Sequence, residues 1–294
     1  MKTESRTITW FSHISIFCFA AFCIIPFVLL ISASLTDQNA IVANGYSFFP
    51  QVFSTAAYEY LMLRGSDIMR AYGVTVFITV VGTFIGLAIS TLLAYPLSRV
   101  VTPHRNLIMF AVFFTMLFHG GLVPSYLVYT QVFDLKNSIW ALIVPGLLTN
   151  GYYIMMMRTF FQTTIPPALI ESAQIDGASE YRVLWSVVLP LSTPVLATIG
   201  MFTAIMYWND WQNGMVYITK SDLFSIQNLL NRIMQDIQFI RGSMASNAGE
   251  AMQQMPSDSV KMAMAVIGAL PILLAYPFFQ QYFVKGIMIG AVKG

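Results

Sequence analysis

The feature that most constrains the fold is a series of long apolar stretches distributed along the chain. A helix that crosses a bilayer needs about 20 apolar residues, because each residue rises about 1.5 Å and the hydrocarbon core is about 30 Å thick. Backbone polar groups at that depth must bond within their own segment, which favours helices. The stretches predicted to span are 11–34, 73–97, 107–130, 138–157, 191–208 and 260–284. The sequence therefore predicts an all-α, polytopic membrane protein with six transmembrane helices in a single transmembrane domain over 1–294.

The composition agrees with a membrane protein and excludes one other class. Of the 294 residues, 57% are hydrophobic and only 10% are charged, and the mean hydropathy is +0.68. Basic residues are scattered singly at a net charge of +2, without the clustered Lys and Arg of a nucleic-acid binder. The first stretch follows Lys2 and Arg6, as a signal peptide would. Its length and the later stretches favour a retained first helix.

The orientation in the membrane follows from the distribution of Lys and Arg. An even number of spans places both termini on one side, and short cytoplasmic loops are enriched in basic residues. The short segment 98–106 carries Arg99 and Arg105. We therefore expect both termini in the cytoplasm, a cytoplasmic loop at 158–190 and an external loop at 210–259.

The external loop contains an amphipathic pattern over 223–239. Its apolar residues recur at helical spacing: Leu223, Ile226, Leu230, Ile233 and Ile237. The pattern predicts a helix whose apolar face lies on the membrane surface or against a partner.

The cytoplasmic loop contains a short helix with clear start and stop signals. Pro167 suits the first helical position, where the missing N–H has no partner in any case. A helix is predicted over 168–176, and Gly177 follows it, where glycine commonly ends a helix in the left-handed conformation. A second short helix is predicted over 179–187, before Pro190.

The first loop helix has the surface of a docking element. Four-residue spacing puts Glu171 and Ile175 on one face, and Ala168 and Ser172 form a small-residue strip beside them. Small residues permit close approach of another protein, and the carboxylate offers one directional contact. The alternative is an ordinary loop helix that lies on the bilayer surface.

These residues resemble a known motif. The permease subunits of bacterial ATP-binding-cassette importers carry Glu-Ala-Ala, three residues, Gly, nine residues, Ile, any residue and Leu-Pro. The chain has this spacing, with Ser at the second position of the motif and Val for Ile: Glu171-Ser172-Ala173, Gly177, Val187 and Leu189-Pro190. The resemblance implies that the first loop helix is a coupling helix between spans four and five, which sits in a cleft of the ATPase subunit. It assigns ATPase coupling to Glu171, Ser172, Ala173, Gly177 and Pro190.

Further segments are similar to the carbohydrate-uptake branch of these permeases, of the type of the maltose permease's smaller subunit. They are Asn137-Ser138, Trp140-Ala141, 158–161, Ile165-Pro166 and 290–294. Within that branch, 120–124 resembles the subgroup for oligo- and polysaccharides, which includes alginate importers, although His119 departs from that subgroup's pattern. The resemblance implies a carbohydrate cargo and the inner membrane of a bacterium. It also implies several partners: a second, homologous permease subunit, an ATPase dimer, an extracytoplasmic solute-binding protein and membrane lipid.

Several residues are candidates for the substrate path. His119 lies in the third predicted span, where ionisable groups are costly and often functional; the alternative is a neutral imidazole bonded to a neighbouring helix or near the surface. Gly120-Gly121 with Pro124 is expected to break or bend this span.

Aromatic and amide side chains supply the other candidates, since rings stack on sugar faces and amides bond hydroxyl groups. They are Tyr152 and Tyr153 in the fourth span, and Tyr207, Trp208 and Asn209 at the end of the fifth. The alternative is an aromatic belt at the membrane surface.

The chain itself is not expected to be an enzyme. It contains no Gly-Lys-Ser/Thr triplet, the core of the nucleotide-binding P-loop, so ATP and magnesium are expected on the separate ATPase and no cofactor or metal on this chain. The alternative function is an ion-coupled secondary transporter. Such proteins carry intramembrane Asp, Glu or His relays, for which His119 is the candidate here, and paired inverted repeats, which this sequence lacks.

Overall fold

The computed structural model describes residues 6–244 and 257–291. Within these residues the regular elements are helices, and one isolated bridge pairs Thr36 with Phe53. The α-helices in chain order are α1 (Arg6–Ser34), α2 (Gln38–Asn44), α3 (Ala56–Met62), α4 (Gly65–Ser98), α5 (Arg105–Leu117), α6 (Leu122–Leu127), α7 (Trp140–Ile143), α8 (Gly151–Thr164), α9 (Pro167–Ile175), α10 (Glu180–Val183), α11 (Leu189–Leu191), α12 (Thr193–Asn209), α13 (Gln212–Tyr217), α14 (Ile226–Met244) and α15 (Ser257–Ala291). Two π-helical segments, Val128–Val132 and Leu184–Val188, and a 3₁₀ turn, Ser221–Leu223, complete the set. The all-α prediction is confirmed.

Long apolar helices confirm a polytopic membrane protein. Three segments of the described chain are long and apolar enough to cross a bilayer without interruption: Trp10–Ser34, Gly65–Ser98 and Asp258–Ala275. Two further candidates are bent pairs, in which α5 meets Leu122–Val132 at 114° and Glu180–Leu191 meets α12 at 81°. By length and composition the described residues thus contain three spans, or up to five if each bent pair is one span.

The third predicted span bends at its glycines, as expected. Between α5 and α6 the chain leaves the helix, and Gly121 adopts a φ of 82°. Only glycine takes this backbone conformation without strain. The bend predicted from Gly120-Gly121 and Pro124 is confirmed, and 107–130 is not a straight helix.

The fourth predicted span, 138–157, is not a continuous helix in the structure. It consists of α7 and the first half of α8, separated by irregular backbone. Pro145 has no N–H to continue the helix, and Gly146 has a φ of 70°. Asn150 then starts α8, because its side chain accepts a hydrogen bond from the Tyr152 N–H at 2.9 Å.

The chain forms two compact units, of which the first is drawn from residues up to Asp67 and from Leu230 to Pro271. Here the Gln38 side chain caps α15: its Oε1 accepts from the backbone N–H of Asp258 at 2.8 Å and of Ser259 at 3.2 Å. The Gln38 amide also donates to the Asp258 carboxylate at 3.0 Å. These bonds satisfy N–H groups that have no partner within the helix.

The second unit, Ile68–Leu229 with residues from Ile272 onward, contains the loop 158–190 that the sequence predicts to be cytoplasmic. Side chains from α4, α5, α8, α9, α10 and α12 share one buried apolar cluster, which includes Tyr95, Leu97, Met157, Phe161, Ile170, Val183 and Val195. The short loop helices are therefore packed onto the long ones.

Close packing in this unit depends on two glycines of α4. A Cβ on Gly82 would lie 2.3 Å from Cζ of Tyr207, and a Cβ on Gly86 would lie 2.8 Å from the Leu148 carbonyl oxygen. Their four-residue spacing is that of the Gly-x-x-x-Gly pattern, which lets membrane helices approach closely. Tyr207 and the irregular segment before α8 thus contact α4 directly.

The amphipathic helix predicted over 223–239 is present as α14. Its apolar side chains at helical spacing are buried: Ile226, Leu230, Ile233 and Ile237. Leu223 belongs to the preceding 3₁₀ turn. The apolar stripe is covered by the chain itself and is not left for a membrane surface. The rest of the predicted external loop, 245–256, lies outside the described residues.

Candidate coupling surface and substrate path

The loop helix α9 begins at a proline and ends at a glycine, as the sequence predicts. Pro167 occupies the first helical position. At the other end, the Ala178 N–H donates to the Ala173 carbonyl at 2.9 Å and the Gly177 N–H to the Gln174 carbonyl at 3.0 Å. With Gly177 at a φ of 80°, this pattern is the Schellman motif. The helix therefore has a defined length on the surface of the second unit.

The two faces of α9 differ in exposure. Ile170 is buried in the apolar cluster, and Ala173 packs against the same cluster. Glu171 and Ser172 are exposed, and Ile175 is 85% exposed. An accessible carboxylate beside an uncovered apolar side chain is a surface that a partner protein can bind, as the predicted docking element requires.

The second predicted loop helix is more complex than a single helix over 179–187. Ser179 caps α10, since its Oγ accepts from the Arg182 N–H at 3.4 Å. The chain then forms the π-helical segment Leu184–Val188 and enters α11, where Pro190 lies in the first turn. Pro190 has no N–H to bond the carbonyl four residues before it.

A carboxylate that the sequence did not single out links this loop to α4. Glu180 accepts a hydrogen bond from the Tyr95 hydroxyl and another, at 2.6 Å, from Nε2 of Gln174. The residues lie on α10, α4 and α9, so their contact depends on the tertiary fold. The motif contained no local signal for it.

Two of the predicted substrate-path residues are structural in this conformation. Tyr207 is 0% exposed, and its hydroxyl donates to the Ile143 carbonyl at 2.8 Å. Trp208 is also buried, with its ring 6.3 Å from that of Tyr72. Neither ring offers a face for a sugar, because the face is already packed.

The other candidates are accessible. Tyr152 is 58% exposed, and the half-buried Tyr153 stacks on Phe202 with ring centroids 6.3 Å apart. Asn209 is exposed at the end of α12. His119 is exposed and lies in the break between α5 and α6, not within a helix.

The accessible candidates on α5 and α8 belong to neighbouring helix ends. A Cβ on Gly151 would lie 2.8 Å from Cγ of Met116, so the start of α8 directly contacts the end of α5. Tyr152 follows Gly151, and His119 follows Met116 by three residues. The structure therefore places these two candidates at one end of a helix pair.

Just beyond α12, Asp210 is a partly buried carboxyl group. Its Oδ1 accepts from the N–H groups of Gln212 and Asn213, each at 3.2 Å, at the start of α13. Burial raises the pKa of Asp210 above its ordinary value, although the hydrogen bonds from Asn213 and Gln212 oppose the shift. This residue has a role in local structure that the sequence did not suggest.

Comparison with known proteins identifies the family. The family described as "binding-protein-dependent transport system inner membrane component" matches residues 9–289. The chain belongs to this family. Its members are the permease components of ATP-binding-cassette importers and are not catalytic, so the expectation that this permease is not an enzyme is confirmed.

Individual relatives cover nearly the whole permease. The polygalacturonan/rhamnogalacturonan transport system permease protein YtcP of Bacillus subtilis (strain 168) is 39% identical over 277 residues, which are 94% of each chain. Protein LplC of the same organism is 39% identical over 276 residues, 93% of this chain and 90% of LplC. One structural neighbour is a chain in the crystal structure of a bacterial ABC transporter involved in the import of the acidic polysaccharide alginate, with a TM-score of 0.78 and 27% identity, covering 96% of this permease and 100% of that chain.

These findings confirm the resemblance drawn from the Glu171 to Pro190 motif. Importers of this kind contain permease, ATPase and binding-protein components, and the chain is a multi-pass membrane protein. Nothing in the comparisons supports the alternative of an ion-coupled secondary transporter.

Proposed function

We propose that this permease forms half of the translocation pore of an ATP-driven importer for oligo- or polysaccharides with acidic sugar units. The observation that carries the proposal is the 39% identity to the polygalacturonan/rhamnogalacturonan permease over 94% of both chains. The structural neighbour belongs to an importer of alginate, which is also an acidic polysaccharide. Both cargoes are chains of sugars that bear carboxylates, and the shared chemistry defines the proposed substrate class.

The helix α9 couples ATP hydrolysis on the partner ATPase to movement of the permease. Its exposed Glu171 and Ser172 contact the ATPase, while Ala173 and the Schellman end at Gly177 hold the helix to the permease. Pro190 starts the segment that leads from the loop into α12. ATP and magnesium bind on the partner ATPase dimer. Closure of that dimer switches the permease from an inward-facing to an outward-facing conformation. The support is the exposure of Glu171 on a helix with fixed ends.

The permease works with a second, homologous permease subunit, an ATPase dimer and an extracytoplasmic solute-binding protein. Both of its termini lie in the cytoplasm of the bacterial cell, which puts 158–190 on the ATPase side and 210–259 on the side of the binding protein. The basic residues of the short segment 98–106 support this orientation. A cysteine-labelling assay on intact cells checks it: cysteine in place of the exposed Ala43 (Ala43→Cys) should react with an impermeant maleimide, and Thr163→Cys should react only after lysis.

The accessible candidates for sugar contact are His119, Tyr152, Tyr153 and Asn209. Together they offer an imidazole, two phenol rings and an amide, which bond hydroxyl and carboxylate groups or stack on sugar faces. Tyr207 and Trp208 support the path from within the core.

Uptake into proteoliposomes tests the cargo. The complete importer, with its solute-binding protein outside and ATP inside, is offered labelled oligogalacturonides and neutral gluco-oligosaccharides of the same length. We expect saturable, ATP-dependent uptake of the acidic oligomers and at least tenfold less of the neutral ones. Equal uptake of both would contradict an acidic cargo.

The coupling role of α9 is tested with Glu171→Ala. This variant should reach the membrane. It should either associate more weakly with the ATPase or hydrolyse ATP without coupled uptake. Glu59→Ala is the control, since Glu59 is also an exposed carboxylate, with a hydrogen bond from Thr55 at 2.7 Å, and lies outside the loop. Full transport-coupled ATPase activity of the Glu171→Ala complex would count against the proposal.

A further inference from the structure

The Glu180 carboxylate bonds two side chains from two other helices. One oxygen accepts from Nε2 of Gln174 on α9 at 2.6 Å, and the other accepts from the hydroxyl of Tyr95 near the end of α4. Hydrogen bonds to an ionised acceptor are about twice as strong as neutral ones. Glu180 therefore connects the short loop helix to a long helix through a single residue.

The end of α4 that Tyr95 occupies is held by further polar contacts. Nε of Arg158 donates to the Leu97 carbonyl at 3.3 Å, and Nε2 of Gln162 donates to the Ser98 carbonyl at 3.2 Å. The last carbonyls of a helix have no partner within it, so these bonds from α8 fix the helix end. A displacement of Tyr95 would therefore move the end of α4 together with α8.

Glu180 borders open space as well as the two side chains that it bonds. An open pocket of about 610 Å³ lies beside it, with Tyr95, Arg99, Tyr181 and Leu184 in its lining. Apolar packing in the cluster that contains Tyr95 and Ile170 is non-directional. The hydrogen bonds of Glu180 are directional, so they fix the position of α9 relative to α4 in a way that this packing does not.

We infer that Glu180 is a positioning residue that makes α9 and α4 move as one body when the ATPase displaces α9. The inference rests on the proposed function of α9 as the coupling helix. It assigns no contact between Glu180 and the ATPase or the sugar: Glu180 acts through Gln174 and Tyr95. Loss of the link leaves the ATPase able to bind α9 while its movement reaches α4 less completely.

Transport stoichiometry in the reconstituted importer tests this role. Glu180→Ala, Tyr95→Phe and Gln174→Ala should each lower the sugar imported per ATP hydrolysed, by roughly three- to tenfold for Glu180→Ala. Glu180→Gln should retain most of the ratio, because an amide can still accept from Gln174 and contact the Tyr95 hydroxyl. The double variant Tyr95→Phe with Glu180→Ala should be no worse than Glu180→Ala alone, since both remove the same bond. A wild-type ratio in Glu180→Ala, or additive losses in the double variant, would overturn the inference.

Amide hydrogen exchange separates this inference from the cargo and the coupling proposal. Measured on the full importer in nanodiscs without sugar or nucleotide, exchange in 167–178 should rise several-fold in Glu180→Ala and stay at the wild-type level in Glu180→Gln and in the control Glu59→Ala. Unchanged exchange in Glu180→Ala would overturn the link even if the sugar imported per ATP falls. Where Glu180→Ala fails to assemble, the volume-conserving Tyr95→Phe gives the same test, and an unchanged ratio and exchange there would also overturn it.

Discussion

Replacing Gly82 by alanine tests the packing that holds the second unit together. The new Cβ would lie 2.3, 2.6 and 2.7 Å from three ring carbons of Tyr207, whereas carbon atoms pack at about 3.5–4.0 Å. The ring or the helix must therefore move by about 1 Å. Tyr207 has little freedom to do so, since it is completely buried and its hydroxyl is tied to the Ile143 carbonyl.

The expected loss of stability follows from these contacts. Overpacking a closed core costs about 1–3 kcal/mol, and loss of the Tyr207 hydrogen bond adds about 1 kcal/mol. Alanine returns up to about 1 kcal/mol through its better helix propensity. We therefore expect Gly82→Ala to destabilise the protein by roughly 1–3 kcal/mol in sum.

The same helix provides a matched control in Gly73. A Cβ there meets no atom within 4 Å, so Gly73→Ala gains helix propensity without a clash and should stabilise by about 0.5–1 kcal/mol. Thermal denaturation of the detergent-solubilised protein, followed by size-exclusion chromatography, measures both variants. The two midpoints should shift in opposite directions. An unchanged or raised midpoint in Gly82→Ala would refute the close contact between α4 and Tyr207.

Three further outcomes are expected. Gly177→Ala forces alanine into the left-handed conformation at the end of α9 and should cost about 1–2 kcal/mol, with Gly177→Asn less harmful; thermal denaturation gives the order. Gln38→Ala removes the side-chain cap of α15 and should cost about 1–2 kcal/mol; the same assay measures it, with Gln212→Ala, at an exposed glutamine, as the control. Burial raises the pKa of Asp210 above its ordinary value. The stability that the protonated carboxyl contributes is therefore fully present below that ordinary pKa of 3.8 and is lost as the pH rises through the raised pKa. Asp210→Asn should flatten this part of the stability–pH curve.

Much of the helical framework could be predicted from the sequence because hydropathy and helix-end signals are local. The stretches 11–34 and 73–97 lie within α1 and α4. The loop helix predicted over 168–176 is Pro167–Ile175, since a proline starts it and a glycine ends it. Each of these elements is determined by residues that are neighbours in the chain.

The break in the fourth predicted span shows where hydropathy is insufficient. The average over 138–157 is apolar, and averaging conceals a short interruption. Pro145-Gly146 is a dipeptide typical of turns, and Asn150 is a good helix cap. Both signals are local to a few residues, so they indicate the break that an average over the whole stretch conceals.

Some features of the candidate site could likewise be predicted from local sequence, and others could not. Exposure of Glu171 follows from the spacing of the loop helix, so it could be predicted. The link from Glu180 to Tyr95 joins residues 85 positions apart, and no pattern in the motif indicates it. Burial of Tyr207 depends on Gly82, which lies on another helix, so the sequence alone does not predict it and leaves a sugar ligand and a belt residue as alternatives.

The break also explains polar side chains near the end of α12. Peptide groups outside a helix at membrane depth must bond to protein, because lipid offers no partner. Tyr207 donates to the Ile143 carbonyl at 2.8 Å, and the Asn213 amide donates to the Pro145 carbonyl at 2.9 Å. The two acceptor carbonyls lie where α7 ends: Ile143 is its last residue, and Pro145 follows shortly after it. These two side chains therefore stabilise unwound backbone. Because the Tyr207 hydroxyl is already bonded there, the proposed sugar contacts are the accessible candidates His119, Tyr152, Tyr153 and Asn209.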